Sequence, residues 1–238
     1  DHRDLHSFPT RRSSDLLPQL EQDDHFAYIF GYEDGLVRPE GLITREEVAT
    51  IFYRLLTDES RMEYLTREQN FGDIMNDRWS ITPIATLAKS SMIVGYLDGE
   101  FKPDQPITRA EFAAIASRFD ELTPTNMAMF SDISGHWAEQ VINSSALKGW
   151  INGYEDGTFR PDNYITRAEA MALINNQLNR RVNKEGIHPD SIMFADNDPS
   201  AWYYETVVEA TNSHEYAERT NVKDPEKWTA ITENKVWP

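Results

Sequence analysis

Apolar positions along the chain fall into short stripes separated by polar stretches marked by Gly and Pro. Val48, Ile51, Phe52 and Leu55 follow the i, i+3, i+4, i+7 spacing of one buried helix face, and Phe112, Ile115, Ala116 and Phe119 repeat it. A second kind of stripe follows a Trp. Ile84, Leu87 and Ala88 lie behind Trp79, with Pro83 suited to a first helical turn. Val141, Ile142 and Leu147 lie behind Trp137 and close at Gly149. Asp-Gly pairs, whose Gly can take a positive φ, separate the two kinds of stripe and predict turns. The pattern predicts a mainly α chain of helix-loop-helix units with short extended connections. Polar, irregular linkers are expected at 57–70, 120–129 and 179–193.

The stripes sit inside an internal repeat, which decides the architecture. Gly31-Tyr32-Glu33-Asp34-Gly35 recurs as Gly95-Tyr96-Leu97-Asp98-Gly99 and Gly153-Tyr154-Glu155-Asp156-Gly157, followed by Pro39, Pro103 and Pro161. At one fixed offset after each opening Gly come Ile43-Thr44-Arg45, Ile107-Thr108-Arg109 and Ile165-Thr166-Arg167. A third element, F-x-D followed by Trp, appears at Phe71/Asp73/Trp79, Phe130/Asp132/Trp137 and Phe194/Asp196/Trp202. The chain opens with a Gly-Tyr/Thr-Arg half and closes with an F-x-D/Trp half, a cyclic shift. A unit that cannot bury its apolar face alone docks on its neighbours. The last half, around Trp202, is therefore expected near the first, around Tyr32, closing a pseudo-threefold body.

Thr-x-x-Glu is a capping box, in which Thr accepts from an orphan amide of the helix start and Glu reaches back to another. Thr44/Glu47, Thr108/Glu111 and Thr166/Glu169 fit it, so Thr and Glu have a structural role without further chemistry. Arg45, Arg109 and Arg167 are different. Each occupies a first helical position, where the positive end of the helix dipole disfavours a cation by up to about 1 kcal/mol. Two compensations are open: an acidic neighbour, Asp34, Asp98 or Asp156, or a ligand anion between the guanidinium and the free amides of the helix mouth. Tyr32, Tyr96 and Tyr154 follow the opening Gly and could place a hydroxyl beside such a site. Trp79, Trp137 and Trp202 could stack on sugar rings, although a Trp that opens an amphipathic helix is more often core.

F-x-D, then Trp, then G-Y-x-D-G-x-F-R-P, then I-T-R-A-E resembles the S-layer homology repeat of bacterial surface proteins. The third copy, Phe130 to Glu169, is the most similar, and the resemblance covers Asp24 to Ile231. It implies repeats at 17–57 (partial), 71–120 and 130–179, a closing half repeat at 190–231, and a pseudo-threefold helical spindle. It further implies inter-repeat grooves that bind a secondary cell-wall polymer, or another peptidoglycan-linked polysaccharide, often carrying pyruvate ketals. Arg45, Arg109 and Arg167 would then face the ligand carboxylate, with Asp34, Asp98, Asp156, Tyr96, Tyr154, Trp79 and Trp137 as further ligand-binding candidates. The expected product is a secreted, non-catalytic anchor of a larger protein at the cell wall or S-layer, with neighbouring S-layer subunits as further partners. Three departures bear on the sites. Glu46 replaces the usual Ala beside Arg45, Lys102 stands where Arg38 and Arg160 stand, and the first copy has no F-x-D/Trp element of its own. Arg109 and Arg167 therefore rank above Arg45.

Composition narrows the alternatives. The 238 residues carry 23 Lys and Arg against 40 Asp and Glu, a formal charge of -17, which repels phosphate backbones and argues against nucleic acid. Charges beyond about 8 to 10 Å are screened at physiological salt, so local donors can still bind an anion. With no Cys, disulfides and thiolate chemistry are excluded. No apolar run predicts membrane insertion. No nucleophile elbow, phosphate loop or H-E-x-x-H appears, and His25, His136, His188 and His214 share no ligand spacing. Hence no catalytic residue, metal site or cofactor is expected. A calcium-dependent structural or protein-interaction module is the rival reading, since Asp-Gly loops can ligate calcium, but the spaced ligand ladder is missing. Residues 1–16 resemble a translated sequencing adapter and are set aside from fold reasoning.

Overall fold

A computed structural model describes residues 17–125 and 127–238, so the adapter-like stretch lies outside the described residues. The chain is mainly helical. Seven helices are described: α1 (Arg45–Leu55), α2 (Asp58–Tyr64), α3 (Ile81–Lys89), α4 (Arg109–Ser117), α5 (Glu139–Leu147), α6 (Arg167–Gln177) and α7 (Tyr204–Thr211). One antiparallel pair follows, β1 (His214–Tyr216) with β2 (Trp228–Ile231). None of the described helices is long and apolar enough to cross a membrane. The chain divides into two compact units. One contains the described residues up to Leu20 and Leu42–Ile165; the other contains Glu21–Gly41 and Thr166–Pro238.

In the first unit α1 packs on α3, and α4 on α5. The stripes read from the sequence form the core: Phe52 stacks on Phe119 with ring centroids 4.9 Å apart and meets Phe112 at 5.9 Å. The three Ile residues that precede the Thr-Arg motifs are buried and close a ring of backbone hydrogen bonds. The Ile43 amide donates to the Ile165 carbonyl (3.4 Å), that of Ile107 to Ile43 (3.1 Å) and that of Ile165 to Ile107 (3.1 Å). Buried peptide groups must be paired, and three equivalent positions satisfy one another here without a sheet. α2 falls within the expected linker at 57–70. Thr57 accepts from the Ser60 amide and Asp58 and Glu59 sit in the first turn, which suits the positive end of a helix.

In the second unit α6 packs on α7. The β1–β2 pair carries Trp228 into a small core with Val182 and Val208. This pair was not anticipated, because β1 is three residues long and shows no alternation readable in sequence. Residues from the opening half thread into the same unit: the amides of Tyr28 and Ile29 both donate to the Ala210 carbonyl at 3.1 Å, and the His214 amide donates to that of His25 at 2.9 Å.

Candidate functional site

Each G-Y-x-D-G loop turns twice. Gly157 takes φ 78°, and three residues later Arg160 is held at φ 58°, a left-handed conformation costly for a residue with a Cβ. Arg38 (φ 51°) and Lys102 (φ 58°) are held alike. The restraint is the Asp of F-x-D. Asp132 accepts from the amides of Phe159 (2.8 Å) and Arg160 (2.7 Å), Asp73 from Phe101 (2.8 Å) and Lys102 (2.6 Å), and Asp196 from Val37 (3.0 Å) and Arg38 (2.7 Å). The Phe of the same motif lies under the opening Gly: a Cβ on Gly153 would come within 2.4 Å of the Phe130 ring. The most conspicuous part of the repeat is therefore a device for shaping one loop.

That loop seats the helix-start arginines. Arg45, Arg109 and Arg167 are only 3%, 6% and 4% exposed. Their Nε atoms donate to the carbonyls of Phe101 (2.7 Å), Phe159 (2.8 Å) and Val37 (2.9 Å). Their guanidinium carbons lie 4.6, 4.8 and 4.9 Å from the ring centroids of Tyr96, Tyr154 and Tyr32. Arg45 also approaches Glu111 at 3.6 Å, and Tyr96 donates its hydroxyl to the same carboxylate at 3.1 Å. Burial pushes that hydroxyl up to about 12. Carbonyl oxygens and ring faces thus compensate charges that would otherwise be expensive to bury.

The helix mouths are closed. The first two amides of α1 donate to the carbonyls of Gln105 and Pro103, those of α4 to Asn163 and Pro161, and those of α6 to Gly41 and Pro39. The third amide in each helix goes to the hydroxyl of Thr44, Thr108 or Thr166, and Glu47, Glu111 and Glu169 complete the capping boxes. An anion held by free amides between guanidinium and helix start, as the sequence suggested, has no donors left there. Nor do Asp34, Asp98 and Asp156 compensate the helix-start arginines. Each pairs within its own loop, with Arg38 (2.6 Å), Lys102 (2.8 Å) and Arg160 (2.8 Å). Those carboxylates also accept from loop amides, which leaves no concerted ligand set for calcium.

What reaches solvent is a second cation beside each Tyr. The side chains of Arg38, Lys102 and Arg160 are 50%, 33% and 42% exposed and lie 4.1, 4.5 and 3.8 Å from the centroids of Tyr32, Tyr96 and Tyr154. Arg38, Lys102 and Arg160 were not among the candidates read from the sequence, although their threefold position within the motif marked them. The tryptophans correct the core expectation. Trp79 and Trp202 are 59% and 64% exposed, and Trp137 is half-buried against His136. The buried position at each helix start falls one residue later, on Ser80, Ala138 and Tyr203, and this turns the indoles of Trp79 and Trp202 outward. Glu46, beside Arg45, is engaged elsewhere. It accepts from Arg78 at 2.7 and 2.8 Å and from the Ser80 hydroxyl at 2.5 Å, joining α1 to the start of α3.

The S-layer homology domain model matches residues 27–49, 70–113 and 130–171. The chain is 37% identical to cell surface glycoprotein 1 of Acetivibrio thermocellus, over 84% of this chain and 9% of that protein. It is 35% identical to the cellulosome-anchoring protein of the same organism, over 81% of this chain and 44% of that protein. It is 31% identical to an amylopullulanase of Thermoanaerobacterium thermosulfurigenes, over 60% of this chain and 8% of the enzyme. The chain thus spans less than half the length of these relatives. Three matched segments, each carrying the same loop and the same seated arginine, place this chain in the S-layer homology domain family.

Proposed function

We propose that the chain is a non-catalytic module that anchors a longer exported protein to the bacterial cell wall by binding an anionic secondary cell-wall polysaccharide, its carboxylates supplied by pyruvate ketals. The observation that carries this reading is the threefold pairing of one buried and one solvent-exposed cation on a single Tyr ring. Arg45, Arg109 and Arg167 supply a fixed positive base beneath Tyr96, Tyr154 and Tyr32. Lys102, Arg160 and Arg38 meet the ligand carboxylate, which competes with Asp98, Asp156 and Asp34 for them. Arg offers a planar fork for a carboxylate where Lys offers a point charge, so the Lys102 station is the weakest. The outward faces of Trp79, Trp137 and Trp202 suit the apolar face of a pyranose ring. Repeated stations on a repetitive polymer add avidity that no single one would reach. Relatives named for the cell surface and for anchoring a cellulosome support the assignment to the wall.

Co-sedimentation with purified cell walls tests this. The chain should pellet with intact walls and stay in solution with walls stripped of secondary polymer or of its pyruvate. Charge reversal of Arg38, Lys102 and Arg160 to Glu, with circular dichroism unchanged, should weaken binding by about tenfold or more. Undiminished binding by that folded variant, or by depyruvylated walls, overturns the anionic-ligand reading.

A further inference from the structure

Away from the repeat loops, four titratable side chains from four separate stretches of the second unit converge on one buried point. They are His25, Glu209 on α7, His214 on β1 and Glu226 just before β2, with side chains no more than 1% exposed. His25 Nδ1 lies 3.3 Å from His214 Nε2, 3.1 Å from Glu226 Oε2 and 3.7 Å from Glu209 Oε1. His214 Nε2 lies 3.2 Å from Glu226 Oε2 and 3.6 Å from Glu209 Oε1. All four candidate ligand atoms lie within 4.8 Å of one another.

The protein alone leaves this cluster poorly compensated. Neither oxygen of Glu209 has a hydrogen-bond partner. The buried guanidinium of Arg180 donates instead to the backbone carbonyls of Glu21, Asp24 and Phe26. A desolvated carboxylate without a donor costs several kcal/mol, and a second carboxylate beside it adds to that cost. A divalent cation at the centre removes the conflict, and the geometry fits one. A tetrahedron with metal–ligand bonds of 2.0–2.1 Å has edges of about 3.3 Å. Five of the six separations span 3.1 to 3.7 Å, and the sixth, between Glu209 and Glu226, is no more than 4.8 Å.

The surroundings of His214 and Glu226 are those of a built site. His214 Nδ1 lies 3.0 Å from the Asn212 carbonyl, a contact that makes Nδ1 the donor and leaves the Nε2 lone pair aimed inward. The other oxygen of Glu226 is fixed by the Arg181 amide and by Arg219, both at 3.2 Å. Trp228 stacks on the His214 ring at 3.9 Å and Tyr216 lies 4.4 Å from that of His25, which walls the point off from water. Asp23 and Asp24 line a cleft that reaches His25 and His214, a cation-attracting approach.

We propose that His25, Glu209, His214 and Glu226 bind one zinc ion in a closed four-coordinate structural site. Four protein ligands leave no open position for a substrate, so the ion is not catalytic. It ties the start of the 21–41 segment to α7 and to the C-terminal strands, whichever polymer the loops bind.

The test is on the full chain. After dialysis against a chelator it is titrated with zinc chloride by calorimetry and melted with and without the metal. His2 and His6, which lie outside the described residues, are replaced by Ala in a parallel sample. We expect about one zinc per chain in both samples, a melting temperature raised by roughly 5 °C or more, and, with cobalt in place of zinc, the intense visible bands of a four-coordinate ion. Glu209→Gln should cut zinc affinity by about 100-fold or more. A folded chain that takes up no zinc at micromolar concentrations, uptake that disappears with His2 and His6, or uptake unchanged in Glu209→Gln overturns the site. Without a metal site Glu209→Gln would leave melting unchanged or raise it, because it removes only an unpartnered buried carboxyl.

Discussion

The loop at Gly153–Pro161 and the loop at Gly31–Pro39 have the same shape but are closed from opposite directions along the chain. Asp132 reaches Phe159 and Arg160 across 27 and 28 positions, whereas Asp196 reaches Val37 and Arg38 across 159 and 158. The hydrogen bonds differ by at most 0.2 Å, and both loops hold their Arg at positive φ. Loop conformation is thus written in the stereochemistry of the motif. Connectivity enters only through the entropy of bringing the two parts together, about 1.5 kcal/mol more for the longer closure. The proposed zinc ion, which ligates residues from both ends of the chain, would act on that difference.

Glycine replacement should give the largest effect and separate the two copies. A Cβ at residue 153 would meet the Thr158 carbonyl oxygen at 2.5 Å as well as the Phe130 ring, and backbone cannot move aside locally. At residue 31 the Phe194 ring lies at 2.2 Å, but the Leu36 carbonyl stands off at 3.1 Å, so the half-buried ring can tilt to make room. Gly153→Ala should destabilise by about 3 kcal/mol or more and Gly31→Ala by about half as much, read from denaturant midpoints. Equal losses would mean that the ring at residue 194 is as immovable as a backbone.

Removing the clamp should come next. Asp132→Ala and Asp196→Ala each leave two loop amides without their acceptor and a non-glycine residue at positive φ without its restraint. A loss of about 2 kcal/mol is expected in each, since the amides are only partly shielded from water. Asn at either position retains a single acceptor oxygen and should recover about half. If Asp196→Ala costs nothing while Asp132→Ala costs the full amount, the permuted copy is held by its surroundings rather than by its motif.

Much of this was legible in the chain because it is local. The capping boxes at Thr44, Thr108 and Thr166, the turn at each Asp-Gly and the helical stripes are all fixed by residues a few positions apart. The threefold register supplied the family and the mainly helical class. What could not be read was set by contacts far apart in sequence. Burial of Arg45, Arg109 and Arg167 depends on carbonyls 43 to 137 positions away, and a guanidinium looks the same in sequence whether it faces a ligand or a carbonyl. The outward turn of Trp79 and Trp202 depends on which neighbour takes the buried place. His25 and His214 showed no ligand spacing because 189 residues separate them.

The finest distinction between the copies is electrostatic. In the third copy Asp156 accepts from the Thr158 hydroxyl (2.6 Å) and amide (3.0 Å) and from Arg160 (2.8 Å), and these hold its carboxyl down from the ordinary 3.8 to about 2, the Thr158 hydroxyl contributing most. In the permuted copy the residue two positions on is Leu36, so Asp34 is lowered chiefly by Arg38 and then by the Leu36 amide. A carboxyl whose folded pKa lies below its unfolded value stabilises the fold above the unfolded pKa, and the gain fades as pH falls through the folded one. The Asp156 contribution should therefore be intact at pH 5 and decline from about pH 4 towards pH 2. The group is exposed, so the effect on stability is small and a carboxyl NMR titration is the right measurement. Asp156 should titrate below Asp34, and Thr158→Val should bring the two together, because it removes the hydroxyl while leaving the amide and Arg160 in place. If Asp156 stays low in Thr158→Val, Arg160 rather than the hydroxyl sets its acidity, and the exposed cation is more firmly paired than a station open to a competing carboxylate requires.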